Sequence, residues 1–250
     1  LAGMVETLKA LFPPEVGVAN LQEVPIAGGC LGCISCGYDN QCVYFGKDGY
    51  REFFEDKVRK ADVIFMAGAM KDRALSSRWK LFFDRSFYNT HQPVLAGKQV
   101  AFLISGPLGQ NANLREMLTA YTECMGGNLV GFVTDEPADS ALIDARIAEI
   151  ARMAVRLAGQ SYLQPATFLS VAGGKLMRDA IWGPLRFVFL ADHRYYRKHG
   201  GYDFPQREYK ARLRNALMTL LMRIPATRKD VQRRTVDEMV KPLRSVVENR

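Results

Sequence analysis

Histidine is scarce in this chain, long apolar runs are missing, and no segment is repetitive or low in complexity. Each shortage closes off a class of function. The three histidines are His91, His193 and His199, and the last two stand six residues apart, a spacing that does not align them on one helix face. A histidine-built zinc hydrolase is therefore disfavoured. No run reaches the roughly 18 to 20 apolar residues that cross a bilayer, and the segment 180–191 is cut by Pro184 and Arg186. With no transmembrane segment and no signal-peptide pattern, the expected location is cytoplasmic.

Acidic residues are in short supply only near the end. The net charge is +8, and residues 205–250 hold twelve Lys or Arg against five Asp or Glu, a surplus of seven. The first two hundred residues are nearly neutral, so nucleic acid is not an expected partner of the whole chain. With 250 residues, 48% of them hydrophobic, the chain can bury a sizeable core.

Cysteine is scarce too, but four of the five fall in one run, Cys30-Leu-Gly-Cys33-Ile-Ser-Cys36-Gly-Tyr-Asp-Asn-Gln-Cys42. The spacing is C-x2-C-x2-C-x5-C. Small residues between the thiols let them converge without long-range folding. Compact C-x2-C-x2-C runs are the usual carriers of iron–sulfur clusters. Zinc sites use C-x2-C pairs set further apart, and disulfides between such close neighbours would be strained. A redox-active or vestigial thiol set also remains open. Cys124, beside Met125 at a helix end, reads as a small packing residue.

Along the chain, apolar spacing predicts a helix over 1–11 and a strand over 15–24 running into the cysteine loop. Asp48 is placed to cap a helix reaching Lys60. A buried strand follows at 63–67, then a polar loop 68–76 and a helix carrying Trp79, Phe82, Phe83 and Phe87. The unit repeats with a strand at 99–104, a loop at 105–113 and a helix bearing Leu114, Met117, Leu118 and Tyr121, closed by Gly126-Gly127. A strand at 129–134 and a helix from about Asp139 to Leu157 complete the alternation. Short connections between alternating strands and helices predict an α/β fold with a doubly wound parallel sheet.

Beyond Gln160 the regularity changes. Thr167–Val171 is the expected site of one more strand, Gly173-Gly174 a turn, and 176–190 a helix or broken helix. The segment 192–205 is dense in aromatic and basic residues. A basic helix follows with Tyr209, Leu213, Leu217, Leu220, Leu221 and Ile224 expected inward. Burial against protein is its first reading, ahead of attachment to a membrane surface or docking of an acidic redox partner. Thr227 and Asp230 have capping-box-like spacing for a last helix up to Lys241-Pro242.

The order strand, cysteine loop, helix, strand, loop, together with Ala61-Asp62-Val63-Ile64, Trp79-Lys80 to Asp84-Arg85 and Gly97-Lys98, resembles the NAD(P)H-dependent FMN reductases of the flavodoxin-like group, and among them the iron–sulfur flavoproteins. The resemblance covers roughly residues 1–160, leaving 161–250 as a mostly helical basic extension. It implies a flavodoxin-like sheet of order 2-1-3-4-5, FMN at the carboxyl ends of the strands where that order reverses, and a [4Fe–4S] cluster near it on Cys30, Cys33, Cys36 and Cys42. It also implies NAD(P)H or a ferredoxin-like protein as electron donor, and a homo-oligomer, dimer or tetramer. The first strand and the Ser-rich phosphate loop of the family have no counterpart, which is read as an N-terminally incomplete sequence.

The residues this assigns to the flavin are Gly68, Ala69, Met70, Lys71, Asp72 and Arg73 after the strand at 63–67, with Ser105, Gly106 and Pro107 after the next. The aromatic residue that many relatives place beside the flavin ring is absent, and Lys71 or Arg73 stands where an electrostatic partner of the reduced flavin would lie. As plain sequence these are solvated loop charges and an ordinary turn, just as His91 reads either as lining the substrate mouth or as a surface histidine. The other functions in play are an FMN or quinone reductase without a cluster, and a non-enzymatic redox sensor or electron carrier that docks a partner protein through its basic tail.

Overall fold

The structure, a computed structural model, describes residues 1–13, 16–204 and 208–248, with the backbone alone at 245, 247 and 248. The chain divides into two compact units. The first holds residues 1–29, 46–85 and 93–173, and the second residues 30–45, 86–92 and 174–250.

The first unit is a mixed α/β sandwich around a mostly parallel sheet. Three strands, β1 (Val63–Lys71), β3 (Gln99–Ser105) and β4 (Asn128–Thr134), lie side by side and parallel, while the two-residue β2 (Ala74–Leu75) folds back antiparallel on the end of β1. The order is β2-β1-β3-β4, with β1 and β3 in register from Val63 opposite Gln99 to Ala69 opposite Ser105. Val100, Ala101, Phe102, Leu103 and Ile104 are all fully buried, as a central parallel strand covered on both faces requires.

Alternation splits that strand between two layers. Ala101 and Leu103 join Val133, Met4 and Leu8 of α1 (Ala2–Ala10), and Ile143, Ile147 and Ile150 of α6 (Ser140–Gly159) in one cluster. On the other face Phe102 stacks on Phe132, and Arg115 of α5 (Ala112–Cys124) lies over the Phe132 ring. There α4 (Ser77–Ser86) meets α5 through Phe83 and Tyr121. Two helix starts carry side-chain caps, Asp139 accepting from the Leu142 N–H at 3.1 Å and Asn111 from that of Leu114, whereas the cap expected at Asp48 is not made, Gly49 standing at the start of the helix there.

Four further expectations fail in this unit, each for a local reason. The predicted strand at 15–24 is irregular over its described part, residue 15 lying outside it, and Val16 and Val18 are exposed. Asn20 there takes the Gln22 N–H on its side chain and the Glu23 N–H on its carbonyl, a local turn that competes with pairing. The helix expected from Asp48 to Lys60 is a short α3 (Tyr50–Phe53) continued by a π-helical turn, Phe54–Val58.

The loop expected at 68–76 is instead the end of β1, a tight turn at Asp72-Arg73, and β2. The strand expected at Thr167–Val171 is the start of α7 (Phe168–Trp182), because the Thr167 hydroxyl accepts from the Ser170 N–H at 3.2 Å and donates to Glu123. Gly173 and Gly174 therefore sit inside a helix, at the point where the two units divide.

The second unit is helical. It contains the short α2 (Cys36–Asp39), a 3-10 turn (Phe87–Asn89), α8 (Leu190–Lys198), α9 (Tyr209–Leu221) and α10 (Pro225–Glu248). Ile34, Ile181, Val188 and Phe189 form its core, with Phe87, Tyr196 and Val236 packed around them. Two expectations are corrected here. Pro242 lies inside α10 instead of ending it, at the cost of one backbone hydrogen bond. In α9 the apolar residues expected inward, from Tyr209 through Leu213, Leu217, Leu220 and Leu221 to Ile224, are exposed.

Candidate functional site

The cysteine loop is built on the second unit. Its first half has no regular structure, with Gly32 at φ +63° and Cys30 exposed, and Ile34, held at φ +57°, turns the chain into α2. Ile34 and Gly37 are both buried. A side chain at Gly37 would meet the Val188 carbonyl oxygen at 2.5 Å, so glycine is what lets α2 lie against residues 188–189.

All four thiols are free, and Cys36 is the buried one, its Sγ donating to the Phe87 carbonyl at 3.7 Å. Burial pushes its pKa up to about 12, with further upward pushes from the charges of Cys42, Cys30 and Cys33. Cys36 thus lies within electrostatic reach of each of the other three thiols. Among the described residues no three cysteine, histidine or carboxylate side chains stand close enough to hold a single metal ion. Four thiolates around one zinc would be about 4 Å apart, given Zn–S bonds of about 2.3 Å. The thiols are gathered more loosely than that.

Around this loop the structure assembles groups that sequence alone did not connect. Tyr38 of α2 carries Arg228 over its ring at 4.1 Å and Arg194 at 5.5 Å. His91 directs Nδ1 at Asp192 Oδ2, 2.7 Å away. Asp192 is fully buried and also accepts from the His91 backbone N–H and the Thr90 hydroxyl. With Nδ1 turned to the carboxyl, Nε2 is the ring nitrogen left for another partner. Phe87 and Phe189 flank the ring. In the sequence Asp192 is one acid in a dense aromatic and basic segment, and nothing local to it points to His91 a hundred residues earlier.

In the first unit, the residues assigned to a flavin meet at the carboxyl ends of β1 and β3. Gly68, Ala69, Met70 and Lys71 belong to the strand itself, and Asp72 and Arg73 form the turn after it. Gly68 is obligatory for packing, since a Cβ would come 2.7 Å from Trp79 Nε1. Gly106, at φ +124°, lies against Met70, where a Cβ would come within 2.9 Å. Ser105, Gly106 and Pro107 therefore stand beside the end of β1, with the Met70 side chain packed on Gly106, while Lys71 and Arg73 are exposed nearby.

Two acids missed by the sequence reading occupy the neighbouring end of β4. Asp135 accepts from the Ser105 hydroxyl at 2.6 Å and from the Gly106 N–H at 2.7 Å; Glu136 accepts from the Gly109 N–H at 3.1 Å. Burial alone would raise the Asp135 carboxyl, but the hydrogen bonds from Ser105 and Gly106 hold it below the usual range. The donors of residues 105–109 are thus already engaged, and a phosphate would meet negative charge there. A groove of about 260 Å³ lies elsewhere in this unit, between β4 and α6, lined by Val130, Phe132, Arg146 and Glu149.

Cys124 is exposed at the end of α5, contrary to its expected packing role. Among the described residues no helix is long and apolar enough to cross a membrane.

No protein-family model matches the chain, and no curated protein matches it. Among solved structures, RosB with the bound intermediate OHC-RP, 8-demethyl-8-formylriboflavin-5'-phosphate, is similar over 71% of this chain and 80% of its own, at 14% identity and a TM-score of 0.48.

Proposed function

We propose that the chain is a redox protein of the iron–sulfur flavoprotein type, an FMN-dependent oxidoreductase or electron-transfer protein drawing on NAD(P)H or a ferredoxin-like donor. The observation that carries this reading is the C-x2-C-x2-C-x5-C run of four free thiols at Cys30, Cys33, Cys36 and Cys42 in one loop. Four cysteines in so compact a run are the donor type and spacing that a [4Fe–4S] cluster takes, whereas zinc sites use pairs set further apart along the chain.

The parallel β1-β3-β4 order supports a flavodoxin-like sheet, with Met70 and Gly106 together at its carboxyl end. Lys71 and Arg73 would face the electron-rich edge of an FMN ring there and stabilise its reduced form. Asp135 and Glu136 keep the donors of residues 105–109 for the protein itself, so the phosphate would be held by other groups. When bound, the flavin supplies two-electron chemistry and the cluster single-electron transfer. Homo-oligomeric assembly belongs to the same reading.

The decisive experiment is anaerobic purification followed by absorption spectroscopy and assays of iron, acid-labile sulfide and flavin. Iron and sulfide in equal amount, lost together in Cys33→Ser with Cys36→Ser, is the expected result. Flavin without iron or sulfide would leave a reductase without a cluster, and absence of both would refute the reading.

A further inference from the structure

Helix α9 presents a face that no part of the described chain covers. With about 100° of turn per residue, Tyr209, Leu213, Leu217 and Leu220 fall on one stripe, and Ile224 continues it just past the helix end. Leu213 is 76% exposed and Leu217 58%. The helix is not free to roll this stripe inward. Its opposite side is fixed, with Asn215 and Met222 fully buried and the Asn215 amide donating to the Gly183 carbonyl at 3.0 Å.

The charges on α9 are arranged around the stripe in a particular way. Lys210 and Arg214 lie along one border of it and Arg212 and Arg223 along the other, all exposed, and residues 209–224 contain no acid. Helix α10 is different. Its cations Arg233, Arg234, Lys241 and Arg244 pair with Asp230, Glu238 and Asp237.

We infer that α9 binds the surface of an anionic lipid bilayer, lying in the plane of the interface with Leu213, Leu217 and Leu220 inserted. An outward apolar stripe with basic residues on both borders suits that surface, because the long Lys and Arg stems reach up to the headgroups while the leucines enter the acyl boundary. Tyr209, an amphipathic ring at the end of the stripe, suits the same depth. Packing of this face on a second copy of the chain would bring two acid-free basic borders together, which like charges oppose. The inference stands apart from the redox reading and survives its failure.

The test is flotation of the full chain with vesicles of phosphatidylcholine alone and of phosphatidylcholine mixed with phosphatidylglycerol. Binding to the mixed vesicles only, weakened by salt, is expected. Leu213→Glu with Leu217→Glu should abolish it, and Arg212→Gln with Arg214→Gln should weaken it by about five-fold per charge removed. Because all four side chains are exposed, circular dichroism should show each variant folded; if the glutamates disturb folding, the arginine pair decides. No binding to either vesicle, or equal binding to both, overturns the inference. So does a dimer, seen by sedimentation equilibrium, that Leu213→Glu dissociates without any vesicle binding by the parent chain.

Discussion

Arg85 grips Asp48 with both arms of its guanidinium, Nη1 2.6 Å from Oδ2 and Nη2 3.1 Å from Oδ1, in a pair almost wholly buried. Asp48 also accepts from the N–H groups of Ala27 and Tyr50, and Arg85 donates to the Gly28 carbonyl. One ion pair thus ties α4 to two separate stretches of the first unit. Arg85→Ala leaves a buried carboxylate without its cation and should cost about 3 to 5 kcal/mol in urea denaturation. Arg85→Lys should recover only part, since one ammonium cannot hold both oxygens.

The same pair gives the fold an acid limit. Burial would raise the Asp48 carboxyl, but Arg85 and the two N–H groups outweigh it and hold the carboxyl below its ordinary value of 3.8. Its stabilisation is therefore present above that value and lost as pH falls through the lower folded one. A thermal-melt series should show this acid step in the parent chain and its absence in Asp48→Asn.

His91 and Asp192 make a corresponding prediction in the second unit. Asp192→Ala strands the Thr90 hydroxyl and the His91 N–H and should cost about 3 kcal/mol. His91→Ala, at a partly exposed position, should cost about 1 to 2 kcal/mol. Nitrogen NMR of the imidazole should find Nδ1 hydrogen-bonded in the parent and that signature gone in Asp192→Ala.

Gly37→Ala adds one methyl group where the Val188 carbonyl oxygen leaves 2.5 Å. Since the obstacle is backbone, α2 must move, at a cost of about 2 kcal/mol or more. Thermal denaturation should report the loss.

His193 is poised the other way from a solvent histidine. Burial, then the charges of Arg186, Arg197 and Arg194, lower its pKa from 6.5 to about 4, and its Nδ1 stands 3.0 Å from the Tyr202 hydroxyl. The unfolded chain binds the proton more readily, so stability is complete above pH 6.5 and is lost as pH falls toward 4. His193→Gln should flatten the melting temperature across that window.

Much of the first unit was legible because its signals are local. Continuous apolar runs at Val63, Gln99 and Leu129 announce parallel strands, and the helix from about Asp139 starts where its spacing places it. The candidate flavin residues were legible as positions but not as partners. Nothing near Ser105 or Gly106 in the chain says that Asp135, thirty residues on, takes their donors. Asp192 is hidden in the same way from His91, a hundred residues earlier.

By itself the sequence determined periodicity and chemistry: an alternating α/β unit, four thiols in one loop, and an amphipathic helix with basic borders. Only the tertiary structure decided direction and company. Thr167 capped a helix where a strand was expected, because Glu123 and Ser170 were there to bond it. Periodicity gives α9 an apolar face but cannot say which way it points. Asn215, anchored to the carbonyls at the end of α7, turned that face to the outside.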